Sequence, residues 1–424
     1  MRKKVIELLK SVLIALLALS ILALTVLALP TRTLTQTPWL AAIVSPFAQA
    51  LGLERTSAPL AQADETSAPA AQPVQISVMT AGGRSTLAYD FAALDEGYET
   101  LGGLLAQALD SAAAPQQTTR ARLYDALGGE SVAFLYPGAL PADAVASWLG
   151  ADAEGCAGFG AWLFALSAQG ETAQLYLLGE SAYVCATQLA SESVTHAAGA
   201  YHPDGSQFLF ESALSSYAHL DGSGLIPAST PALRAAEAAN PCDGRFITAL
   251  ASRLGFNPYG DATYTDDAGN TFFSETNYTL QISADGRLRL RSQDRARLPA
   301  PGGAAGQIRA ARELLGQLLS GVQSDARLYL TDYTQTETGA VCTFDYVLSG
   351  VRVLQSSGAG ASVSVSGGRI TAVEAVLAGY TLTDGALTTL PAAQAAVLLG
   401  DDTRMELCYA ASGAQLTAGW IGRS

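Results

Sequence analysis

Nineteen consecutive uncharged residues, residues 11–29, open the chain after a short basic stub. They are almost all Leu, Ala, Ile and Val. As a helix they span roughly 28 Å, close to a bilayer core of roughly 30 Å. A cleaved signal peptide has an apolar region of only about 7–15 residues, so an uncleaved anchor is expected. Arg2, Lys3, Lys4 and Lys10 precede the run and place the N-terminus in the cytoplasm. Within it Ala15, Ala18 and Ser20 are small enough for close approach by another helix, and they are the candidate partner contacts. Residues 31–73 read as a juxtamembrane segment followed by a linker rich in Ala, Ser, Gln and Pro.

From Val74 onward short alternating segments dominate, which predicts strands joined by turns. Val74–Thr80 and Arg84–Tyr89 flank Ala81-Gly82-Gly83 as a hairpin. Helical spacing marks Leu101–Ala112, Thr119–Leu127 and Pro141–Leu149. Ser131–Tyr136, Ala161–Ser167, Ala173–Leu178 and Ser181–Ala186 read as strands. A loop with a helix at Pro231–Ala239 leads to a boundary near Pro241. Helices follow at Asp243–Leu254, Gln307–Leu319 and Pro391–Leu399, with hairpin strands between and after them. The expected fold is α+β, with antiparallel sheets packed with helices. The expected divisions are 1–30 (stub and anchor), 31–73 (linker), 74–240, 241–300 and 301–424.

Charge sharpens the compartment. The chain carries 24 basic and 38 acidic residues, a net −14. All three lysines lie in the first ten residues. The part beyond residue 30 has 20 arginines against 37 acids, a net −17. Such a body does not match nucleic acid, and it disfavours anionic polymers.

Chemical motifs are scarce. Cys156, Cys185, Cys242, Cys342 and Cys408 form no CxxC, and buried free thiols are expected. His196, His202 and His219 lie near one another in sequence, without metal-ligand spacing. There is no HExxH, GxSxG or GxxxxGK[ST]. Asp261–Gly269 superficially resembles a calcium loop, but Thr263 and Thr265 occupy ligand positions, so a hairpin turn is expected. No catalytic, cofactor or metal residue is assigned, although a carboxylate pair for glycoside chemistry has no sequence signature.

Phe344–Val353 reads as strand, Ser349-Gly350 turn, strand. It is followed by Val363–Arg369, Tyr380, Leu390-Pro391 with Ala395-Ala396, and Leu407–Tyr409 ending at Trp420. This order, with Leu254–Tyr259 upstream, resembles the YycH/YycI family of membrane-anchored regulators of the WalK/WalR two-component system. The resemblance spans roughly residues 240–424 and the anchor. It implies a non-enzymatic accessory regulator at the cell membrane, whose partners are a membrane histidine kinase and a related accessory protein. Two alternatives stand beside it: an anchored binding or scaffold module of the envelope, and an extracellular hydrolase. Aromatics such as Trp162, Tyr176, Tyr259, Tyr264, Phe272 and Phe273 would suit a binding surface, with core packing as the simpler role for most.

Overall fold

The computed structural model describes residues 71–423, apart from 293–297 and 357. These belong to one compact unit, Leu60–Ser424. The apolar run at 11–29, with Ala15, Ala18 and Ser20, lies outside the described residues. No helix among the described residues is long and apolar enough to cross a membrane.

Seven α-helices are described: α1 (Phe91–Asp110), α2 (Arg120–Gly128), α3 (Ala142–Trp148), α4 (Ser191–Ala198), α5 (Gly244–Arg253), α6 (Ala304–Leu319) and α7 (Ala392–Ala396). The first sheet uses β1 (Gln75–Thr80), β2 (Gly83–Ala88), β3 (Gln116–Thr118), β4 (Ser131–Pro141), β5 (Gly160–Ser167), β6 (Thr172–Leu178) and β7 (Ala182–Ala190). A two-stranded ribbon pairs β8 (Gln207–Phe208) with β9 (Leu225–Ile226). The second sheet uses β10 (Leu233–Ala239), β11 (Thr263–Thr265), β12 (Thr271–Glu275), β13 (Tyr278–Ile282), β14 (Arg287–Ser292) and β15 (Ala326–Thr336). It continues with β16 (Gly339–Leu348), β17 (Val351–Leu354), β18 (Ala361–Ser366), β19 (Arg369–Val376), β20 (Gly379–Leu387), β21 (Arg404–Ser412) and β22 (Gln415–Arg423).

The order in the first sheet is β2-β1-β4-β5-β6-β7-β3. In the second it is β11-β12-β13-β14-β19-β18-β16-β17-β21-β22-β10-β20, with β15 on the other edge of β16. Every pairing is antiparallel except β17 with β21. The α+β expectation therefore holds at the level of class.

The first sheet is covered on both faces. Val132, Phe134, Phe164 and Leu166 point into the main core with Leu94, Leu101 and Leu105 of α1. The alternate residues Ala133, Leu135, Leu163 and Ala165 meet Leu123 and Leu127 of α2. Burial on both faces explains the nearly continuous apolar run of β4. In the second sheet Leu280, Leu290, Val363 and Val373 share one core with Ile308 and Leu315 of α6 and Leu250 of α5. The strand residues between them, Gln281, Arg289, Ser362 and Glu374, are not buried.

Two elements differ from expectation. α1 begins ten residues before Leu101, because the Asp90 carboxylate caps it by accepting from Ala92 N–H at 2.9 Å. Gly97 stands where a Cβ would lie 2.1 Å from Leu87 Cδ1, so this glycine serves close packing and does not end the helix. Pro231–Ala239 is not a helix. Leu233–Ala239 is strand β10, paired with β20 and β22. Alanine-rich composition suggests helix there, but two flanking edges with unpaired backbone outweigh that preference. The strands of 241–300 and those of 301–424 lie in one sheet, through β14 against β19.

The Asp261–Gly269 segment is a hairpin turn. The Asp266 carboxylate accepts from Ala268 N–H, Asn270 N–H and the Asn270 side-chain amide. These bonds hold it below its ordinary pKa, with the Asn270 side chain the largest cause.

Candidate functional site

A cleft of about 1010 Å³ opens where α1 faces the second sheet. Its lining combines Phe91 and Asp95 of α1 with Arg327 of β15, Arg234 of β10 and Arg312 of α6. The Arg327 guanidinium donates to both Asp95 carboxylate oxygens, at 2.8 and 2.7 Å. It also lies 4.2 Å from the centre of the Phe91 ring. Fork and stack together fix its orientation. Arg312 sits 5.0 Å over the Trp148 ring, and burial pushes its pKa down to about 10. The cleft thus presents fixed, mixed charges along an aromatic wall, suited to holding an extended polar ligand. Ser349 of the β16–β17 turn also lines it. Ser349 (φ 50°) and Gly350 (φ 77°) both adopt left-handed conformation, as a two-residue hairpin turn requires. A Cβ on Gly350 would lie 3.1 Å from Tyr89 N.

A second group joins the two sheets. Arg404 and Arg423 are direct partners on β21 and β22, an unfavourable pairing of like charges. Glu406, two residues along the same face, offsets it. Glu406 accepts from Arg352 at 3.1 and 3.2 Å and lies 3.9 Å from Arg423. Asp345 accepts from Arg352 and from Gly360 N–H. Arg404 stacks 3.8 Å over the Trp162 ring of β5, and burial lowers its pKa to about 10. Arg423 donates to Pro137 O of β4.

A third feature is apolar and faces outward. The segment around α7 packs on the 3₁₀ turn Ser215–Tyr217. Ala395 and Ala396 enter a small core with Leu209, Tyr217 and Met405. Trp420 Nε1 donates to Leu390 O at 2.8 Å and fixes the segment. Beyond that anchor Val397 (67% exposed) and Leu398 (74%) project into solvent, with Leu390 and Leu214 also exposed. Adjacent large apolar side chains left exposed, as at Val397-Leu398, are candidates for an interaction site.

The cysteines are all free, four of them buried and Cys242 half-buried. Burial is the leading cause that raises each thiol: to about 11 for Cys156 and Cys242, and to about 12 for Cys185 and Cys342. Buried Tyr136 is raised as well. Groups raised in the folded state hold protons that the unfolded chain releases above pH about 9, so stability is present below that pH and lost above it. Denaturant midpoints should be flat from pH 7 to about 8.5 and fall steadily from about 9 to 12. A midpoint unchanged at pH 11 would refute this.

Among the described residues no group of three or more His, Cys, Asp or Glu is placed to hold a metal ion. His219 Nε2 lies 3.3 Å from Leu399 O. Of the aromatics singled out by sequence, Tyr176 and Phe273 are core, Trp162 carries Arg404, and Tyr259 and Tyr264 are exposed. Sequence reading missed the Arg327–Asp95 fork and the Glu406 group, whose members are far apart along the chain. It also missed the outward face of Val397-Leu398, for which a short apolar run was the only available signal.

No family model matches the chain, and no curated protein matches it. Among solved structures, the crystal structure of YycH from Bacillus subtilis is similar in chain path, with a TM-score of 0.49 and 8% identity over 85% of this chain and 95% of that one.

Proposed function

We propose that the protein is a membrane-anchored, extracytoplasmic accessory regulator of a sensor histidine kinase, acting by contact and not by catalysis. The observation that carries the reading is the exposure of Leu390, Val397 and Leu398 on a segment anchored by Trp420 and by the buried alanines Ala395 and Ala396. A regulator that works by contact needs such a surface, and it shifts a kinase equilibrium only if it binds one kinase state better than another. The basic stub and uncharged run at 11–29 supply the second contact, a helix in the membrane with Ala15, Ala18 and Ser20 available for packing. The same run sets the compartment, with the acidic body outside the cell.

The test is co-purification of a histidine kinase with the full chain in mild detergent, alongside kinase autophosphorylation. Val397→Glu with Leu398→Glu should cut capture about tenfold and leave the melting temperature unchanged, because both side chains are exposed. Exchange of residues 11–29 for a neutral helix should weaken capture further and abolish the effect on autophosphorylation. Capture indifferent to both changes would sink the reading.

The cleft supports a second reading, an anchored binding module of the envelope without a kinase. Its volume and its fixed Arg327–Asp95 fork suit a ligand. Such a module keeps its activity on any membrane helix, whereas the regulator does not.

A further inference from the structure

On β14 the sequence Arg287-Leu288-Arg289-Leu290-Arg291 alternates without a break. Leu288 and Leu290 are buried, so all three arginines stand on the opposite, solvent face and are exposed. The register extends that face across the sheet. Arg289 lies beside Gln281 of β13 and Glu374 of β19, followed outward by Phe272 and Tyr264 on one side and Ser362 on the other. Tyr264 and Phe272 stack with ring centres 4.8 Å apart, and Tyr264 is 60% exposed. Two acids neutralise part of the ladder. Asp285 lies 3.1 Å from Arg287, and Glu374 lies 3.5 Å from Arg289. Three arginines on one face of one strand are out of keeping with a body of net −17.

We propose that this face docks an extended segment of another protein carrying acidic side chains at alternate positions. Alternate residues on a strand are about 6.8 Å apart, so the three arginines leave the strand at that spacing. An extended peptide repeats its own alternate side chains at the same distance. Three carboxylates at positions i, i+2 and i+4 therefore meet three guanidinium forks in step, each fork matching a carboxylate in shape and charge. The serine, threonine and glutamine side chains beside the ladder supply hydrogen bonds to the peptide backbone. The partner is not a second copy of this chain. Nowhere in its 424 residues do three acidic residues occur at i, i+2 and i+4. The inference holds whether or not the partner is a kinase.

The experiment measures anisotropy of a labelled peptide with Glu at every second position and Ser or Thr between. An isomer with the same composition has all its Glu residues in one block. The full chain is used in a neutral detergent. The alternating peptide should bind about tenfold more tightly than the isomer, and added salt should weaken it. R287S/R289S/R291S should lose about tenfold or more while melting as the parent does. E374Q, which frees Arg289, should gain about twofold to threefold, a change that a merely structural arginine ladder would not give. Equal binding of the two isomers, or binding unaltered by the triple substitution, would overturn the proposal. So would tighter binding of a single-stranded oligothymidylate, which would assign the face to phosphodiesters.

Discussion

Gly138→Ala should unfold the contact between the two sheets and lower the melting temperature by about 5–10 °C, for a cost of about 4 kcal/mol. Gly138 lies in the irregular part of β4, where the pairing with β5 slips between Leu135 and Leu140. It faces Thr331 of β15, at the point where the β15–β16 register slips between Leu330 and Asp332. A Cβ on Gly138 would sit 1.6 Å from Thr331 O, with two more Thr331 backbone atoms within 3.0 Å. No rotamer relieves a clash with backbone, so one strand must move. Thr331 is buried, which leaves no room for that movement. The measurement is calorimetry on the parent and the variant, with Gly103→Ala as control. Nothing lies within 4 Å of a Cβ at Gly103, and alanine there favours the helix. A Gly138→Ala protein melting within about 1 °C of the parent would refute the contact.

Glu406→Gln should cost about 3 kcal/mol, the low end for breaking a buried ion pair because its members are partly exposed. The isosteric amide keeps the volume and removes the charge. Arg404 and Arg423 then face each other directly across β21 and β22, and Arg352 retains only Asp345 as an anionic partner. Exchange of Arg352 for Met in the same chain should recover part of the loss, since one cation fewer needs compensation. The double-mutant cycle from urea midpoints reads this coupling. Additive costs would show that Glu406 and Arg352 do not act as a unit. Because Trp162 and Pro137 of the first sheet both touch this group, the Glu406→Gln loss should be accompanied by a change in tryptophan fluorescence.

Much of the class and element order was legible along the chain. β14 shows why: Arg-Leu-Arg-Leu-Arg commits one face to solvent and the other to the core before any tertiary contact is known. The hairpins at Ser349-Gly350 and Asp266–Asn270 were legible for a related reason, since Gly350's tolerance of left-handed backbone and Asp266's Asx bonding are properties of those residues themselves. α1 was legible only in part. The residues before Leu101 were not marked as helix, and Gly97 packs closely against Leu87 of β2, a fact carried by another strand. β10 was misread because alanine favours helix locally, and the preference was overruled by β20 and β22, which lie more than 130 residues away.

By itself, then, the sequence determined the α+β class, the charge asymmetry, the free thiols and the uncharged run at residues 11–29. These are sums or short-range periodicities, and every residue contributes to them independently of its distant neighbours. Only the tertiary structure decided which charges meet. Asp95 and Arg327 are 232 positions apart, and Arg84 and Glu211 are 127 apart. It also decided that Val397 and Leu398 face outward while Ala395 and Ala396 face in. Sites of this kind depend on where a two-sheet core brings separate strands together, and no local preference encodes that meeting.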